Sequence, residues 1–370
     1  MKILHLYSNY KYTGPADPAL LLAKAQQDQG HEVTFCCGHP PSDQPTHLQT
    51  IAIDRGLSLY DELKLPKHFQ ISSLRKDVSL LRDWIKEESP DVIHCHLSGD
   101  HLIASLASRK LPPLILKSQY QLKPEKTLRN RYCRQQTDLW IAPTRASAIG
   151  LEEWGVSPTQ ILQAAPPVDL SRFKPRDCPS VEVDQESRIR IGVVARMQRH
   201  RKFPQLIEAF SLAAAEDPKL VLEILGRGTH QEEVAKEPAR RSGFEDRIKF
   251  PGYVEQALYP QSLQNFDMLI FLVPGSDGTC RAAREALSSG IPVIASRRGL
   301  LPELIPEDCG ILLRDETSAE IASAIIQLAQ DSHGRKVMGE NARNHSLKNC
   351  SPSALAQSLD NAIQPLLSSI

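Results

Sequence analysis

The chain has 370 residues and a mass of 41.2 kDa, more than one hydrophobic core fills, so two domains of roughly 150–200 residues are expected and a lone small binding module is excluded. Lys plus Arg and Asp plus Glu number 44 each, 41% of residues are hydrophobic and 24% are charged, which excludes a disordered or fibrous chain and a general nucleic-acid coat. No stretch approaches the ~18–20 uninterrupted apolar residues of a membrane span. Residues 1–7 read as a strand rather than a cleavable signal, and a cytoplasmic protein is expected. The eight cysteines form no C-x-x-C pair, so reduced, buried thiols are expected rather than disulfides or a zinc site.

An apolar run at 3–8, a helically spaced segment at 19–29 ending at Gly30, and a run at 32–36 predict strand, helix, strand. The alternation continues with helix 74–88, strand 92–95, helix 101–109, strand 114–117, helix 126–136, strand 139–142 and helix 145–154. It stops after the proline-rich stretch 166–175, and the polar residues up to Arg188 carry no periodicity. It restarts with strand 189–195, helix 203–216, strands 220–225, 248–250 and 268–272, helix 281–289, strand 292–295 and helix 318–330, and a strandless helical segment, 351–367, closes the sequence. The pattern predicts an α/β fold of two Rossmann-like, doubly wound parallel-sheet domains facing each other across a cleft. The expected boundaries are a first domain at 1–172, a linker at 173–188, a second domain at 189–350, and a final helix at 351–370 that packs back on the first domain or frays.

Ligands of such sheets sit outside the carboxyl ends of the strands. There, the segment 271–295 runs from a buried strand through Pro274-Gly275-Ser276-Asp277-Gly278-Thr279-Cys280 into a short helix. The amides of Gly278, Thr279 and Cys280 would stand at that helix's amino end, where unpaired N–H groups favour an anion such as a diphosphate. Asp277 and Glu285 lie eight positions apart, about 12 Å along a helix, a separation that suits a nucleotide sugar with hydroxyls at both ends. A solvated acid in a turn beside an exposed helical Glu is the competing reading. After the strand at 189–195 come Arg196, Arg199, Arg201 and Lys202; planar, permanently charged guanidinium groups suit a departing diphosphate, whereas a solvated basic loop is the alternative.

At this point the residues resemble a known family. The run 193–210 is similar to the "GRL-x3-KG-x6-EAF" segment of retaining glycosyltransferases of family 4, which have the GT-B fold. Residues 222–228 resemble their "L-x-IVG-x-G", 249–254 their "V-x-F-x-G-x-V" base loop, and 277–286 their E-x7-E motif. In the first half, 164–173 resembles "IPNGVD-x2-RF", while 1–38, 90–96 and 138–144 are similar to the opening, "PDVVH-x-H" and "ADRVIAVS" segments. The ordered set covers nearly the whole chain.

The resemblance implies a hexosyltransferase that uses a nucleoside-diphosphate sugar donor, without metal or other cofactor. By it Arg196 and Arg201 align with the cations on the donor diphosphate, with Lys202 beside them, and Glu285 aligns with the ribose-binding Glu. Asp277 stands where the family has Glu, Val254 matches the position that meets the nucleobase, and Gly14 falls in a glycine-rich loop that lacks the usual second glycine. Gln119 replaces a His beside the reaction centre. His94 and His96, two apart on a strand, share a face; with no third ligand in view, a structural role or a donor contact by His96 is expected rather than a metal site.

The acceptor is expected to be a hydroxyl of a glycan or lipid-linked molecule of the cell-envelope polysaccharide or lipopolysaccharide type, and no nucleic-acid partner is expected. Eight cations against Glu125 alone between Arg109 and Arg134 suggest a hold on an anionic lipid headgroup at the inner face of a membrane or on a phosphorylated glycan, or else a solvated helical face. The alternatives are a nucleotide-sugar epimerase or phosphorylase on the same fold, and a glycosyltransferase-like binding protein without turnover, the latter motivated by Gln119 and Asp277.

Overall fold

The computed structural model describes residues 1–40, 47–66, 68, 70–176, 188–274 and 278–368. They form two compact units, each built on one parallel sheet. The first sheet contains β1 (Lys2–Tyr7), β2 (Glu32–Cys37), β3 (Ser58–Leu59), β4 (Val92–Cys95), β5 (Leu114–Ser118), β6 (Leu139–Ala142) and β7 (Ile161–Gln163) in the order β3-β2-β1-β4-β5-β6-β7. Every strand pair is parallel. Strands β4, β5 and β6 are buried at every position, which is why they read as short continuous apolar runs rather than alternating ones.

Helices cover the first sheet, and local chemistry sets their starts. Thr127 accepts from the Asn130 amide to open the helix Leu128–Gln135, and Thr144 accepts from the Ser147 amide to open Arg145–Glu152. The final helix, Pro352–Leu367, belongs to this unit. Its Leu355, Leu359 and Ile363 join Ala19, Leu20 and Ala23 of the helix Ala16–Asp28 in one buried cluster. Polar contacts pin the same seam: Gln29 Nε2 donates to the Ser353 carbonyl at 2.9 Å, and His31 Nε2 lies 2.8 Å from Asp360 Oδ2.

The second sheet contains β8 (Ile189–Val194), β9 (Leu220–Leu225), β10 (Ile248–Gly252), β11 (Met268–Phe271), β12 (Val293–Ser296) and β13 (Gly310–Leu313) in the order β10-β9-β8-β11-β12-β13. The helices Phe203–Glu216 and Ser318–Gln330 supply Phe203, Phe210, Ile321 and Ile325 to a core shared with Ile191, Leu222 and Ile270 of the strands.

Several elements differ from expectation. The two-residue β3, the three-residue β7, β13, and the helices His47–Asp54 and Ser332–Asn349 were not anticipated. The change of unit falls between Val168 and Asp169, ahead of the expected linker. Phe173, expected to begin that linker, is fully buried in the second unit, where its carbonyl accepts from Ser288 Oγ at 2.6 Å and Arg343 at 2.9 Å. The rest of the expected linker, 177–187, lies outside the described residues. The basic stretch 109–134 is also less of a surface than its charge count implies. Lys117 points inward from β5 and is buried, Lys123 pairs with Glu153 at 2.9 Å, and Arg134 donates to the Trp154 carbonyl while lying 5.2 Å over that indole. No helix among the described residues is long and apolar enough to cross a membrane.

The seam between the first and last helices yields a direct test. Leu359→Ala should lower the unfolding free energy by about 2–5 kcal/mol, the cost of a cavity in a closed core, whereas Gln357→Ala, two residues earlier on the exposed face, should stay within about 0.5 kcal/mol; urea melts of both variants check this.

Candidate functional site

In the second sheet β9 and β10 lie on one side of β8, while β11, β12 and β13 lie on the other. The winding reverses between β8 and β11, and at such a switch point the chain leaves the two carboxyl ends in opposite directions, which opens a crevice between them. The segment after β8 carries Arg196, Arg199, Arg201 and Lys202; the segment after β11 leads to Gly278, Thr279 and Cys280 and the helix Arg281–Ser288. The switch point of the second sheet thus has the cations after β8 on one lip and Cys280 with the helix Arg281–Ser288 on the other, while Gly278 and Thr279 group with the first unit.

The first lip is shaped by backbone contact. Ala195 donates to the Leu225 carbonyl at 3.1 Å and Met197 to that of Arg227 at 3.3 Å. A Cβ on Gly226, whose φ is +132°, would meet the Ala195 carbonyl oxygen at 2.2 Å, and one on Gly228 the Met197 oxygen at 2.0 Å. Only glycine lets these two loops touch.

The four cations are not equivalent. Arg199 is paired with Glu233 at 2.9 Å on the surface. Lys202, in the left-handed region at φ +57°, donates to Glu316 at 2.6 Å. Arg298 holds the same carboxylate at 2.7 Å; although burial pushes the Glu316 carboxyl upward, Arg298 and Lys202 hold it below its ordinary value. Arg201 donates to the Val273 carbonyl at 2.6 Å and borders about 320 Å³ of open space with Val194, Ala195, Phe271 and Leu272. Arg196 is exposed and makes no hydrogen bond or ion pair among the described residues. The sequence did not identify Glu316 as the group that holds Lys202, because it lies 114 positions away, nor Arg298 as its second partner.

Ahead of the helix Arg281–Ser288, Gly278 and Cys280 both adopt positive φ, +68° and +49°, and Thr279 is fully buried. Glu285 is 2% exposed, and its carboxylate accepts from Arg281 Nε at 2.6 Å and from the Tyr259 hydroxyl at 2.9 Å. A buried carboxylate requires such donors, so Arg281 and Tyr259 are positioning residues that motif reading passed over. Burial, then the Glu285 charge, push the Tyr259 phenol well up. Asp277 lies outside the described residues. Val254 is half-buried in the loop that follows β10, where Gly252, at φ +82°, accepts from the Gly226 amide at 2.7 Å.

The remaining candidates lie in the first unit. Gly14 sits in the turn ahead of the helix Ala16–Asp28, next to Thr13, whose hydroxyl lies 2.6 Å from that of Tyr7. Gln119 follows β5, is 8% exposed and donates to the Gln121 carbonyl at 3.2 Å. It borders a polar hollow of about 350 Å³ with Lys117, His101, Asn130, Trp140 and Trp154. Lys117 is held below its ordinary value by burial, opposed by Asp100. Asp100 opens the helix Ser98–Ala107 by accepting from the amides of Ser8 and Leu97, at 2.8 and 2.9 Å, and burial pushes its carboxyl up to about 7.

His96 follows β4 and does not stand alone. His5 of β1 pairs in register with His94 of β4, and its Nδ1 lies 3.0 Å from His96 Nε2. The third histidine missing from the motif reading is thus His5, brought in by strand pairing from 91 positions away.

Two family models match the chain: "Glycosyl transferases group 1" over residues 179–345 and "Glycosyltransferase Family 4" over residues 19–172. The chain belongs to the family 4 glycosyltransferases with the GT-B fold. It is 28% identical over 251 residues to a D-inositol 3-phosphate glycosyltransferase of Corynebacterium kroppenstedtii, covering 60% of this chain and 53% of that one. It is 24% identical over 287 residues to the sulfoquinovosyl transferase of Arabidopsis thaliana, covering 70% and 54%. The chain thus spans about half the length of these curated relatives. Among solved structures, Anabaena HepE in complex with UDP superposes with a TM-score of 0.78 at 19% identity over the full length of both chains.

The buried histidines make stability pH-dependent. Burial lowers His5 to about 4 and holds His94, His96 and His101 well below the ordinary value. Unfolding releases them to about 6.5, so below that pH the unfolded chain binds more protons and stability falls. Asp100 works the other way: with its carboxyl near 7 the folded state holds an extra proton between about pH 4 and 7. Burial also lowers His345 and raises Asp77 and Asp138; with five histidines against three aspartates, urea-melt stability should decline from pH 6.5 towards pH 4.5. His101→Gln should flatten the slope by about one proton, or about 1.4 kcal/mol per pH unit.

Proposed function

We propose that the chain is a retaining glycosyltransferase that moves a sugar from a nucleoside-diphosphate sugar to a hydroxyl of a glycan or lipid-linked acceptor. The observation that carries this reading is the placement of Arg196, Arg201 and Lys202 after β8 and of Glu285 beyond β11, at the switch point of one parallel sheet. When the glycosidic bond to the diphosphate breaks, negative charge builds on the leaving oxygen. Arg196, free of ion pairs among the described residues, and Arg201, anchored on Val273, offer planar donors to it. These cations supply the neutralisation a divalent metal gives in other transferases, so the reading needs no metal in the donor site. Glu285, oriented by Arg281 and Tyr259, would accept the ribose hydroxyls, and the amides of Gly278, Thr279 and Cys280 face the phosphates at the helix start.

Retention follows from attack on the face the diphosphate leaves. Gln119 cannot take a proton, so the acceptor hydroxyl would pass its proton to the departing phosphate oxygen. Asp277 would contact the transferred sugar and Val254 the base. The UDP carried by HepE makes UDP-glucose the first donor to try. Arg109, Lys110, Lys126 and Arg131 remain exposed and would suit an anionic lipid surface on the cytoplasmic side.

Thermal melts with UDP, GDP, ADP and their sugars, followed by product analysis, test the reading. One nucleotide series should raise the Tm, and nucleoside diphosphate should appear only when acceptor is present. Arg196→Ala should lower kcat/KM by about 10²–10³-fold, and Glu285→Ala should abolish the Tm shift. Near-normal turnover in both variants overturns the proposal; an epimerised sugar without acceptor marks an epimerase, and binding without product marks a protein that has lost turnover.

A further inference from the structure

Three histidines meet inside the first unit. His5 on β1 and His94 on the adjacent β4 are register partners, and His96 lies two residues further on, just past the end of β4, so all three side chains project from one face of the sheet. They are 0%, 0% and 1% exposed. Their rings stack closely, with centroids 4.4 Å apart for His94 and His96, 5.1 Å for His5 and His94, and 5.3 Å for His5 and His96.

Each ring turns one nitrogen outward to a fixed partner. His5 Nε2 lies 2.8 Å from Gln26 Oε1, His94 Nε2 lies 2.9 Å from Ser118 Oγ, and His96 Nδ1 lies 3.1 Å from the Tyr120 hydroxyl. The nitrogens left over are His5 Nδ1, His94 Nδ1 and His96 Nε2. The first and last are 3.0 Å apart, and His94 Nδ1 has no hydrogen-bond partner despite being buried. Three ligating nitrogens within 4.8 Å of one another, each on a ring whose second nitrogen is tied to an oxygen, form the arrangement that orients histidines on a metal. An unmatched buried lone pair is what such an arrangement would otherwise leave.

We propose that His5, His94 and His96 bind one transition-metal ion of the Zn²⁺ class through His5 Nδ1, His94 Nδ1 and His96 Nε2. Tetrahedral Zn²⁺ with bonds of about 2.0–2.1 Å sets its nitrogens about 3.3 Å apart, so binding replaces the His5–His96 hydrogen bond and turns the stacked rings until their nitrogens converge. A set of three imidazoles selects borderline ions and offers nothing to Mg²⁺ or Ca²⁺, which take oxygen ligands. Burial keeps the imidazoles in the neutral, ligating form. The site is independent of the transfer reading, since it uses only residues and packing of the first unit.

The competing arrangement is a metal-free chain of hydrogen bonds, from Tyr120 to His96, from His96 to His5 and from His5 to Gln26. Metal analysis of the full-length protein, purified without a histidine tag or chelator, separates the two. About one equivalent of zinc is expected. Co²⁺ added to the stripped protein should develop visible ligand-field bands, and Zn²⁺ should raise its Tm. Ser118→Ala, which leaves the three ligands in place and removes only the outer partner of His94, should weaken Zn²⁺ binding by about 10–100-fold in a chelator competition. His94→Gln should abolish the cobalt bands. Less than a tenth of an equivalent of any transition metal in the wild-type protein, together with no cobalt bands and no Tm response to Zn²⁺, overturns the proposal, whatever the folding of the variants.

Discussion

The structure depends on one constraint of parallel sheets: a strand can be followed by a parallel neighbour only through a crossover, and the crossovers from one central strand can run either way. In the second unit β8 is that strand, and the reversal between it and β11 keeps either connection from covering the space above the two carboxyl ends. Everything chemically distinctive in that unit is attached there. The glycines at 226 and 228 let the loop after β9 lie directly on the loop after β8, which stiffens one lip, while the buried Glu285 and its two donors stiffen the other.

The charges at this site are arranged by long-range pairing more than by local sequence. Glu316, far along the chain, holds Lys202 and Arg298 together, and a partly buried carboxylate between two cations keeps each from wandering. Arg199, three residues before Lys202, is instead held by Glu233 on the surface, where such a pair contributes little. Arg196 carries its charge into solvent. With Arg201 resting on the Val273 carbonyl, a run that looks like one basic cluster is four separate electrostatic environments within seven residues.

Much of the architecture was legible in the sequence because helix and strand periods alternate along it. The central strands, buried on both faces, announced themselves as apolar runs, and the helices as amphipathic stretches. The missing strands are edges: β3 has two residues and β7 three, too few to show a period. The helix Ser332–Asn349 buries only Gly339, Ala342 and Ser346, so it carries no apolar stripe. The positions of Arg196, Arg201, Glu285 and Val254 in the chain could be read from motif order, but what holds them could not, because Tyr259, Arg281, Glu316 and Arg298 meet them only through the fold. Charge counting failed at Lys117 for the same reason: on β5 successive side chains alternate faces, and this one lies inside. His5 was visible as a polar residue within an apolar strand, but only the pairing of β1 with β4 shows which residues it faces.

The last helix gives the chain an unusual order of assembly. Most of the first unit is made from residues up to Val168, yet Leu355, Leu359 and Ile363 complete its core. During synthesis the ribosome must deliver the whole second unit before that core can close, while domains ordinarily fold as they emerge. The apolar side of the helix Ala16–Asp28 therefore waits uncovered through the production of more than 180 residues, a span in which a nascent chain is most open to chaperones. The second unit, contiguous apart from a few residues, has no such wait, so the unit made second is in a position to finish folding first.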